Sequence, residues 1–375
     1  MSDPRHELEV ISYLTDVVFG AGALAMLPDL LRRLGVARPL VVTDAGLVAL
    51  GLVRRLGIAD VFDGTETNPT EANLRACLAL YWERGCDGIV AFGGGASLDL
   101  AKLMAMMTVH EPPLEQYAIL REGSSRILGN LPPLIAVPTT AGSGSEVGRA
   151  ALLRLDSGRK LGFLSPHLLP KAAICDPELT LSLPPALTAA TGMDAISHCV
   201  ETYCSTRANA VADALALEGL SRGWRAIRRA HADGADLEAR AQMMRCSLMG
   251  GLAFQKGLGA VHSLSHPLGA LEGLRLHHGT LNALFLAPVL RFNAKASPEK
   301  MAGLGRAIDV PPGEIPTTFE GLVTDLGLPR RLGELGVTKE ALAPLAAQAA
   351  EDHCSATNPR PLDEAAARRL YEEAL

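Results

Sequence analysis

The sequence lacks any apolar stretch long enough to cross a membrane, since none of ~18 uninterrupted apolar residues occurs. Residues 1–10 carry acidic side chains and lack the basic start and apolar block of a secretory signal. The seven cysteines are scattered, odd in number and without CxxC spacing, which indicates reduced thiols rather than a disulfide framework. We therefore expect a cytoplasmic protein that does not engage a membrane.

A basic surface is lacking as well. The formal net charge is −6, so the chain offers no general attraction for nucleic acid or for anionic lipid. One short basic cluster, Arg222, Arg225, Arg228 and Arg229, is followed by acidic residues, and we interpret it as a solvated helix face. The expected partner is a small molecule.

Apolar residues are abundant. They make up 48% of the residues, which is enough for a buried core. The length of 375 residues predicts about two domains. In the first half, short β-branched runs alternate with helical patterns such as residues 70–84. The predicted strands are residues 39–44, 88–92 and 134–137. Strand, helix and strand in this order favour a parallel, doubly wound, Rossmann-like sheet.

From Pro184 onward the residue pattern changes. Alanine, leucine and arginine recur at helical spacing and strand signals nearly vanish. We therefore predict an α/β domain over residues 1–183 and an all-helical domain over residues 184–375.

A glycine triplet, residues 93–95, directly follows the strand 88–92 and precedes a predicted helix that starts near Ser97. Glycine allows close backbone approach to a ligand, and a helix N-terminus attracts an anion. A pyrophosphate is the natural guest, although a tight strand-to-helix turn would leave the same pattern.

A second polar loop, residues 138–146, follows the next strand and interleaves Thr139, Thr140 and Ser143 with glycine. Both loops would meet at the carboxyl edge of one sheet, where open α/β folds bind ligands. Asp44 ends the strand 39–44 and could accept the ribose 2′-hydroxyl, which favours NAD over NADP. A turn or cap role for Asp44 stays open.

Histidines concentrate in the helical half. Asp194 and His198 are four residues apart, as are His262 and His266, and the pair His277-His278 follows. Residues four apart share one helix face, and imidazoles with a carboxylate suit iron(II) or zinc. Each lone histidine could equally be a hydrogen-bonded core residue; the set as a whole favours a metal site.

Several long stretches together resemble the iron-containing (group III) alcohol dehydrogenase family. They run in order over about 270 residues: FGAG (19–22), GGGASLD (93–99), PTTAGSGSE (138–146), DP (176–177), GMDAISH (192–198), AFQKGLGAVHSLSHPLGA (253–270) and HHGTLNALFLAP (277–288). The resemblance implies the two-domain architecture shared with dehydroquinate synthases. It also implies NAD, a divalent metal and a homodimer or larger oligomer.

The resemblance also implies a role for individual residues. The expected metal ligands are Asp194, His198, His262 and His278, and His266 is a candidate for proton relay. Phe254 would form a wall beside the nicotinamide. The expected cofactor contacts are Lys160 at the ribose and, at or near the phosphates, Gly94, Gly95, Ala96, Ser97, Thr139, Thr140 and Ser143. Asp99 is a further expected cofactor-binding residue.

Three positions depart from the family pattern. Ala96 stands where a serine is common, although Ser97 could replace it as a donor. One apparent extra residue before His278 makes His277 a rival ligand. Gly148 stands where a threonine is common, and we expect it to enlarge the pocket beside the nicotinamide for a bulkier substrate.

These features predict reversible hydride transfer between a primary or secondary alcohol and NAD, giving an aldehyde or ketone. Related oxidoreductases of maleylacetate-reductase or glycerol-dehydrogenase type are the nearest alternatives. A dehydroquinate-synthase-like lyase would need more lysine and arginine near the metal motif. A non-catalytic protein that only binds NAD or a metal is a further alternative, and the presence of the full ligand set weighs against it.

Overall fold

The computed structural model describes residues 15–271, 273–274 and 276–375. All eight strands of these residues lie before residue 176, in the order β1 (Asp16–Phe19), β2 (Pro39–Val42), β3 (Val61–Phe62), β4 (Gly88–Gly93), β5 (Leu134–Pro138), β6 (Ala150–Arg154), β7 (Lys160–Leu164) and β8 (Ala172–Cys175). The three strands predicted from sequence are β2, β4 and β5.

Six strands form one parallel sheet in the order β1-β8-β5-β4-β2-β3. Successive residues of β4 face opposite cores: Ile89 and Ala91 join one apolar cluster, Val90 and Phe92 the other. A strand buried on both faces has to be apolar throughout, which explains the continuous run in the sequence. Strands β6 and β7 form a separate antiparallel hairpin.

The chain leaves β2 toward β3 on one side, whereas β4, β5 and β8 extend the sheet on the other. The topological switch point therefore lies between β2 and β4, which are paired. Open α/β sheets bind ligands at such a crevice, outside the carboxyl ends of the strands. Asp44 and the glycine triplet follow these two strands.

The helices of the first half are α1 (Leu27–Arg33), α2 (Ala45–Ala49), α3 (Glu71–Glu83) and α4 (Gly95–Met107). Helix α3 is the one predicted over residues 70–84. Its start is fixed by a capping box, in which the Thr70 hydroxyl accepts from the Asn73 N–H and the Asn73 side chain accepts from the Thr70 N–H.

The second half is helical throughout its described residues: α5 (Pro185–Cys204), α6 (Ala210–Ala232), α7 (Leu237–Ala253), α8 (Ala260–Leu268), α9 (His278–Asn293), α10 (Pro298–Ile308), α11 (Ile315–Asp325), α12 (Lys339–Glu351) and α13 (Glu364–Ala374). The predicted fold class, a parallel α/β domain followed by a helical domain, is confirmed. Strand β8 ends at Cys175 and α5 begins at Pro185, on either side of the predicted boundary. No described helix is long and apolar enough to cross a membrane.

Backbone contact joins the two halves where the loop after β5 meets α7. A Cβ on Gly144 would lie 2.5 Å from the Cα of Gly251, and one on Gly251 would lie 2.6 Å from the Gly144 carbonyl oxygen. Gly144 also has φ +62°. Paired glycines therefore let the polar loop of the sheet edge rest on the helical domain.

Candidate active site

Three helices bring four predicted metal ligands together. Asp194 and His198 project from the buried α5, His262 comes from α8, and His278 is the first residue of α9. The Asp194 Oδ1 lies 3.8 Å from Nε2 of His198, 3.7 Å from Nε2 of His262 and 3.6 Å from Nε2 of His278. One carboxylate oxygen thus faces three imidazole nitrogens.

This geometry fits a metal ion. Ligands at about 2.0–2.2 Å from a tetrahedral ion would be separated by roughly 3.5 Å, close to the three distances from Asp194 Oδ1. The Asn282 amide nitrogen donates to Asp194 Oδ1 at 2.7 Å and lies 3.1 Å from Nε2 of both His262 and His278. One carboxylate oxygen and two imidazole nitrogens therefore converge on a single side-chain nitrogen.

The protonation of these groups suits metal binding. Burial would raise the pKa of Asp194, but the adjacent His198, His278 and His262 outweigh it and hold this pKa well below its usual range. Burial lowers the pKa of His198 to about 4 and that of His278 well below its ordinary value. Carboxylate and neutral imidazole are the forms that bind metal.

His262 differs from these histidines. Burial would lower its pKa, but Glu201 and Asp194 outweigh that effect and raise it to about 9. The Glu201 Oε2 lies 2.5 Å from His262 Nδ1. His262 therefore has a carboxylate partner for the nitrogen that faces away from the cluster.

The structure separates the two adjacent histidines. His278 Nε2 faces Asp194, whereas His277 is the N-cap residue of α9 and its buried Nδ1 has no hydrogen-bond partner among the described residues. Ligand atoms of Asp194, His262 and His278 lie within 4.8 Å of one another. Among the described residues this group contains neither His277 nor His198, and His198 approaches it through Asp194 at 3.8 Å.

His266 lies beside the cluster, with its ring stacked on that of His278 at a centroid distance of 5.4 Å. Its Nδ1 is 2.9 Å from Asp352 Oδ2. Although Asp352 is buried, His266 and His353 hold its pKa well below the usual range. His353 also stacks on His266, with centroids 5.9 Å apart, and an aspartate–histidine pair thus adjoins the predicted metal ligands.

The two predicted phosphate-binding loops lie against each other. A Cβ on Gly95 would lie 2.9 Å from the Cβ of Ser143, and one on Gly94 would lie 3.5 Å from the Thr140 side chain. The Thr139 N–H donates to the Gly93 carbonyl at 2.9 Å. Helix α4 begins at Gly95, so Ala96 and Ser97 lie in its first turn. This combination of a glycine turn and a helix N-terminus is typical of pyrophosphate sites.

Two side chains of α4, Asp99 and Lys102, form hydrogen bonds with the second polar loop and the residues that follow it. The Asp99 carboxylate accepts from the Ser145 hydroxyl at 2.7 Å and from the Leu152 N–H at 2.9 Å. The Lys102 ammonium donates to Ser145 Oγ at 2.7 Å and to the Gly148 carbonyl at 2.8 Å. The predicted cofactor residue Asp99 thus ties α4 to the polar loop and to β6.

Glu146 is buried in the same region, and burial raises its pKa from 4.5 to about 7. Between these values the folded protein holds a proton that the unfolded chain has released, so the free energy of unfolding decreases as pH rises through this window. We predict that Glu146→Gln removes this contribution. Denaturant titrations should show the variant gaining stability over wild type between about pH 4.5 and about pH 7. A difference that is independent of pH would contradict it.

Asp44 and Lys160 have partners within the chain. The Asp44 carboxylate accepts from the Leu47 N–H at 3.0 Å and caps α2. The Lys160 ammonium donates to Asn68 Oδ1 at 2.9 Å, and its burial lowers its pKa. The cap role that the sequence left open for Asp44 is therefore observed, and its role at a ribose stays a prediction.

The ring of Phe254 lies edge-on to His198, with centroids 5.4 Å apart. A Cβ on Gly148 would lie 2.7 Å from Cζ of this ring. The phenyl ring therefore lies where a side chain at residue 148 would be, and the expected enlargement of the pocket by Gly148 stays a prediction.

This contact makes Gly148→Ala informative. The new methyl group would displace the Phe254 ring, and we expect kcat/KM for alcohol oxidation to fall about tenfold, equivalent to ~1.4 kcal/mol. Metal content should not change. In the double variant with Phe254→Leu the clash is relieved and part of the loss should be recovered. Equal kinetics for wild type and Gly148→Ala would show that the ring does not shape the site.

Sequence comparison identifies the family. The profile described as "Iron-containing alcohol dehydrogenase" matches residues 15–177. The profile described as "Fe-containing alcohol dehydrogenase family, C-terminal" matches residues 188–375. The chain belongs to the iron-containing alcohol dehydrogenase family of oxidoreductases, as the motifs predicted.

Three relatives carry names that state a substrate. The chain is 51% identical to "4-hydroxybutyrate dehydrogenase" of Cupriavidus necator over 97% of this chain and 99% of the relative. The solved structure of a 1,3-propanediol oxidoreductase matches with a TM-score of 0.91 and 36% identity, covering 98% of this chain and 100% of the other. The structure of sulfoacetaldehyde reductase from Bifidobacterium kashiwanohense, solved with NAD+, matches with a TM-score of 0.89 and 27% identity, covering 98% of each chain.

Proposed function

We propose that this protein is an NAD-linked dehydrogenase that interconverts a short primary alcohol and its aldehyde at an iron(II) or zinc ion. The proposed ligands are Asp194, His198, His262 and His278. The observation that carries the proposal is the spacing of Asp194 Oδ1 from the three imidazole nitrogens, 3.6–3.8 Å. When bound, such an ion lowers the pKa of an alcohol hydroxyl and polarises a carbonyl.

The two polar loops supply the other half of the site. We propose that Gly94, Gly95 and the first turn of α4 receive the pyrophosphate of NAD, with Thr139, Thr140 and Ser143 facing it from the second loop. Lys160 would contact a ribose hydroxyl. Helix N-termini stabilise such an anion without a dedicated cation.

His266 is our candidate for the proton path. Asp352 accepts at Nδ1 of His266, which leaves Nε2 free to take a proton from the alcohol through water or a ribose hydroxyl. A buried acceptor also holds the imidazole ring in one orientation. The pairing with Asp352 therefore prepares His266 for this role.

We propose a substrate of three or four carbons with a second polar group at the far end. The 51% identical relative is named for 4-hydroxybutyrate, and the closely superimposable structure for 1,3-propanediol. The Phe254 ring beside Gly148 also restricts the room next to His198. We also propose that the protein is a homodimer located in the cytoplasm.

The test combines metal analysis with a substrate panel. The chain, loaded anaerobically with iron(II) or with zinc, should retain about one ion and reduce NAD faster than NADP. Among 4-hydroxybutyrate, 1,3-propanediol, 1-butanol and cyclohexanol, the first two should have the largest kcat/KM. Turnover that survives complete metal removal, or no turnover with any alcohol, would overturn the proposal.

A further inference from the structure

We propose that Glu201 is a positioning residue for the metal centre, acting by orienting His262 and anchoring the start of α8. The inference rests on the proposed function, because it concerns the same four ligands. The Glu201 side chain is 4% exposed. Its Oε2 lies 2.5 Å from His262 Nδ1, and its Oε1 accepts from the Val261 N–H at 2.6 Å.

The position of Glu201 on α5 explains how it reaches His262. Asp194, His198 and Glu201 are spaced i, i+4 and i+7 along one helix, so they share a face. Asp194 and His198 point into the ligand cluster, and Glu201 extends the same face toward α8. One rigid helix therefore supplies two ligands and orients a third.

The start of α8 depends on acceptors from elsewhere in the chain. Its N-cap residue, Gly259, has no side chain to cap the first turn. Instead the Ala260 N–H donates to Asn358 Oδ1 at 3.0 Å, and the Val261 N–H donates to Glu201. A Cβ at residue 259 would lie 2.7 Å from Asn358 Oδ1 and 2.9 Å from Glu201 Oε1, so glycine leaves room for both acceptors.

The chemistry requires a carboxylate at this position. Glu201 faces two donors at once, the Val261 N–H and the Nδ1–H of His262, and an ionised carboxylate can accept from both. An amide has a single acceptor oxygen, so glutamine would turn its NH2 group toward one donor. Holding the proton on Nδ1 leaves the Nε2 lone pair directed at Asp194 and any bound ion.

The decisive variant is Glu201→Gln in the full-length chain. We expect the dissociation constant for zinc, measured by competition with a chelator, to rise about 10–100-fold, as for other outer partners of metal-binding histidines. Imidazole 15N shifts in the zinc-loaded protein should show His262 protonated on Nδ1 in wild type and a mixture of states in the variant. Amide exchange at Val261 should accelerate.

Glu146→Gln is the matched control, because it also replaces a buried carboxyl by an amide. Its zinc affinity should remain within about twofold of wild type, since Glu146 contacts none of the four proposed ligands in the described structure. If Glu201→Gln does not fold, Gly259→Ala serves instead, because its methyl group would press on both acceptors at the start of α8, Asn358 Oδ1 and Glu201 Oε1. We expect that substitution to raise the dissociation constant about tenfold.

The outcomes separate the two proposals. If wild type binds neither iron nor zinc, the proposed function fails. If wild type binds zinc and Glu201→Gln or, failing it, Gly259→Ala binds it equally well, the role of Glu201 is overturned while the proposed function stands. Equal losses of zinc affinity in Glu201→Gln and Glu146→Gln would likewise overturn the role of Glu201, because the effect would then be general to buried carboxyl groups.

Discussion

His262→Ala is expected to abolish alcohol oxidation and to release the metal. His262 occupies the middle of the ligand cluster, with its ring 4.7 Å from that of His198 and 5.2 Å from that of His278. Alanine removes one donor and leaves Glu201 buried without its imidazole partner. We expect the metal dissociation constant to rise more than about 100-fold, beyond the effect of losing an outer partner, and kcat/KM to fall about a thousandfold or more. Elemental analysis and NADH absorbance measure the two effects.

The control for this experiment is His110→Ala. His110 is also buried and hydrogen-bonded, with Nδ1 2.7 Å from the Met106 carbonyl and Nε2 accepting from the Leu128 N–H at 2.9 Å. It lies in the α/β half, away from the proposed ligands. The variant should lose stability yet keep its metal. Retention of metal and activity by His262→Ala would require a different metal site.

Local sequence patterns were sufficient for the fold class and for three of the six strands described in the parallel sheet. The β-branched runs of β2, β4 and β5 and the helical spacing around Leu74 and Cys77 are short-range signals, and the structure confirms them. The antiparallel hairpin of β6 and β7 was missed, because its strands alternate buried and half-buried residues without a strong apolar run. Tertiary packing against α4, through Ala151 and Leu153, stabilises that hairpin.

The candidate ligands could be named from the sequence because they lie in recognisable motifs, and their role as ligands stays a prediction. The partner of His266 could not be named. Asp352 is 86 residues from His266, and nothing in the local sequence connects them. Glu201 and Asn282 carried a signal that was overlooked, since Glu201 follows His198 by three residues and Asn282 follows His278 by four. Helical spacing from a predicted ligand is thus a guide to its supporting residues.

The two histidines of α8 are organised alike. His262 pairs with Glu201 from α5, and His266 pairs with Asp352, which directly follows α12. Each carboxylate binds Nδ1 and leaves Nε2 on the other side of the ring. One helix thus presents a proposed metal ligand and a candidate proton carrier, four residues apart, and two other elements set their orientation.

Gly279→Ala is expected to have the largest effect on this architecture. Gly279 follows His278 at the start of α9, and a Cβ there would lie 2.1 Å from the Ala190 carbonyl oxygen and 3.1 Å from the Cβ of Asp194. Because the first of these atoms belongs to the backbone of α5, the two helices would have to separate. His278 would then move away from Asp194. We expect the free energy of unfolding to fall by about 3 kcal/mol or more and metal affinity to fall by more than about 100-fold, measured by denaturant titration and chelator competition.

Gly321→Ala is the matched control, since Gly321 lies within α11 and a Cβ there would meet nothing within 4 Å. Alanine has a higher helix propensity than glycine, so this variant should gain up to ~1 kcal/mol and keep its metal. The same substitution is thus expected to act in opposite directions at the two sites. Wild-type metal affinity in Gly279→Ala would contradict the prediction, since it would show that α9 can shift without moving His278 away from Asp194.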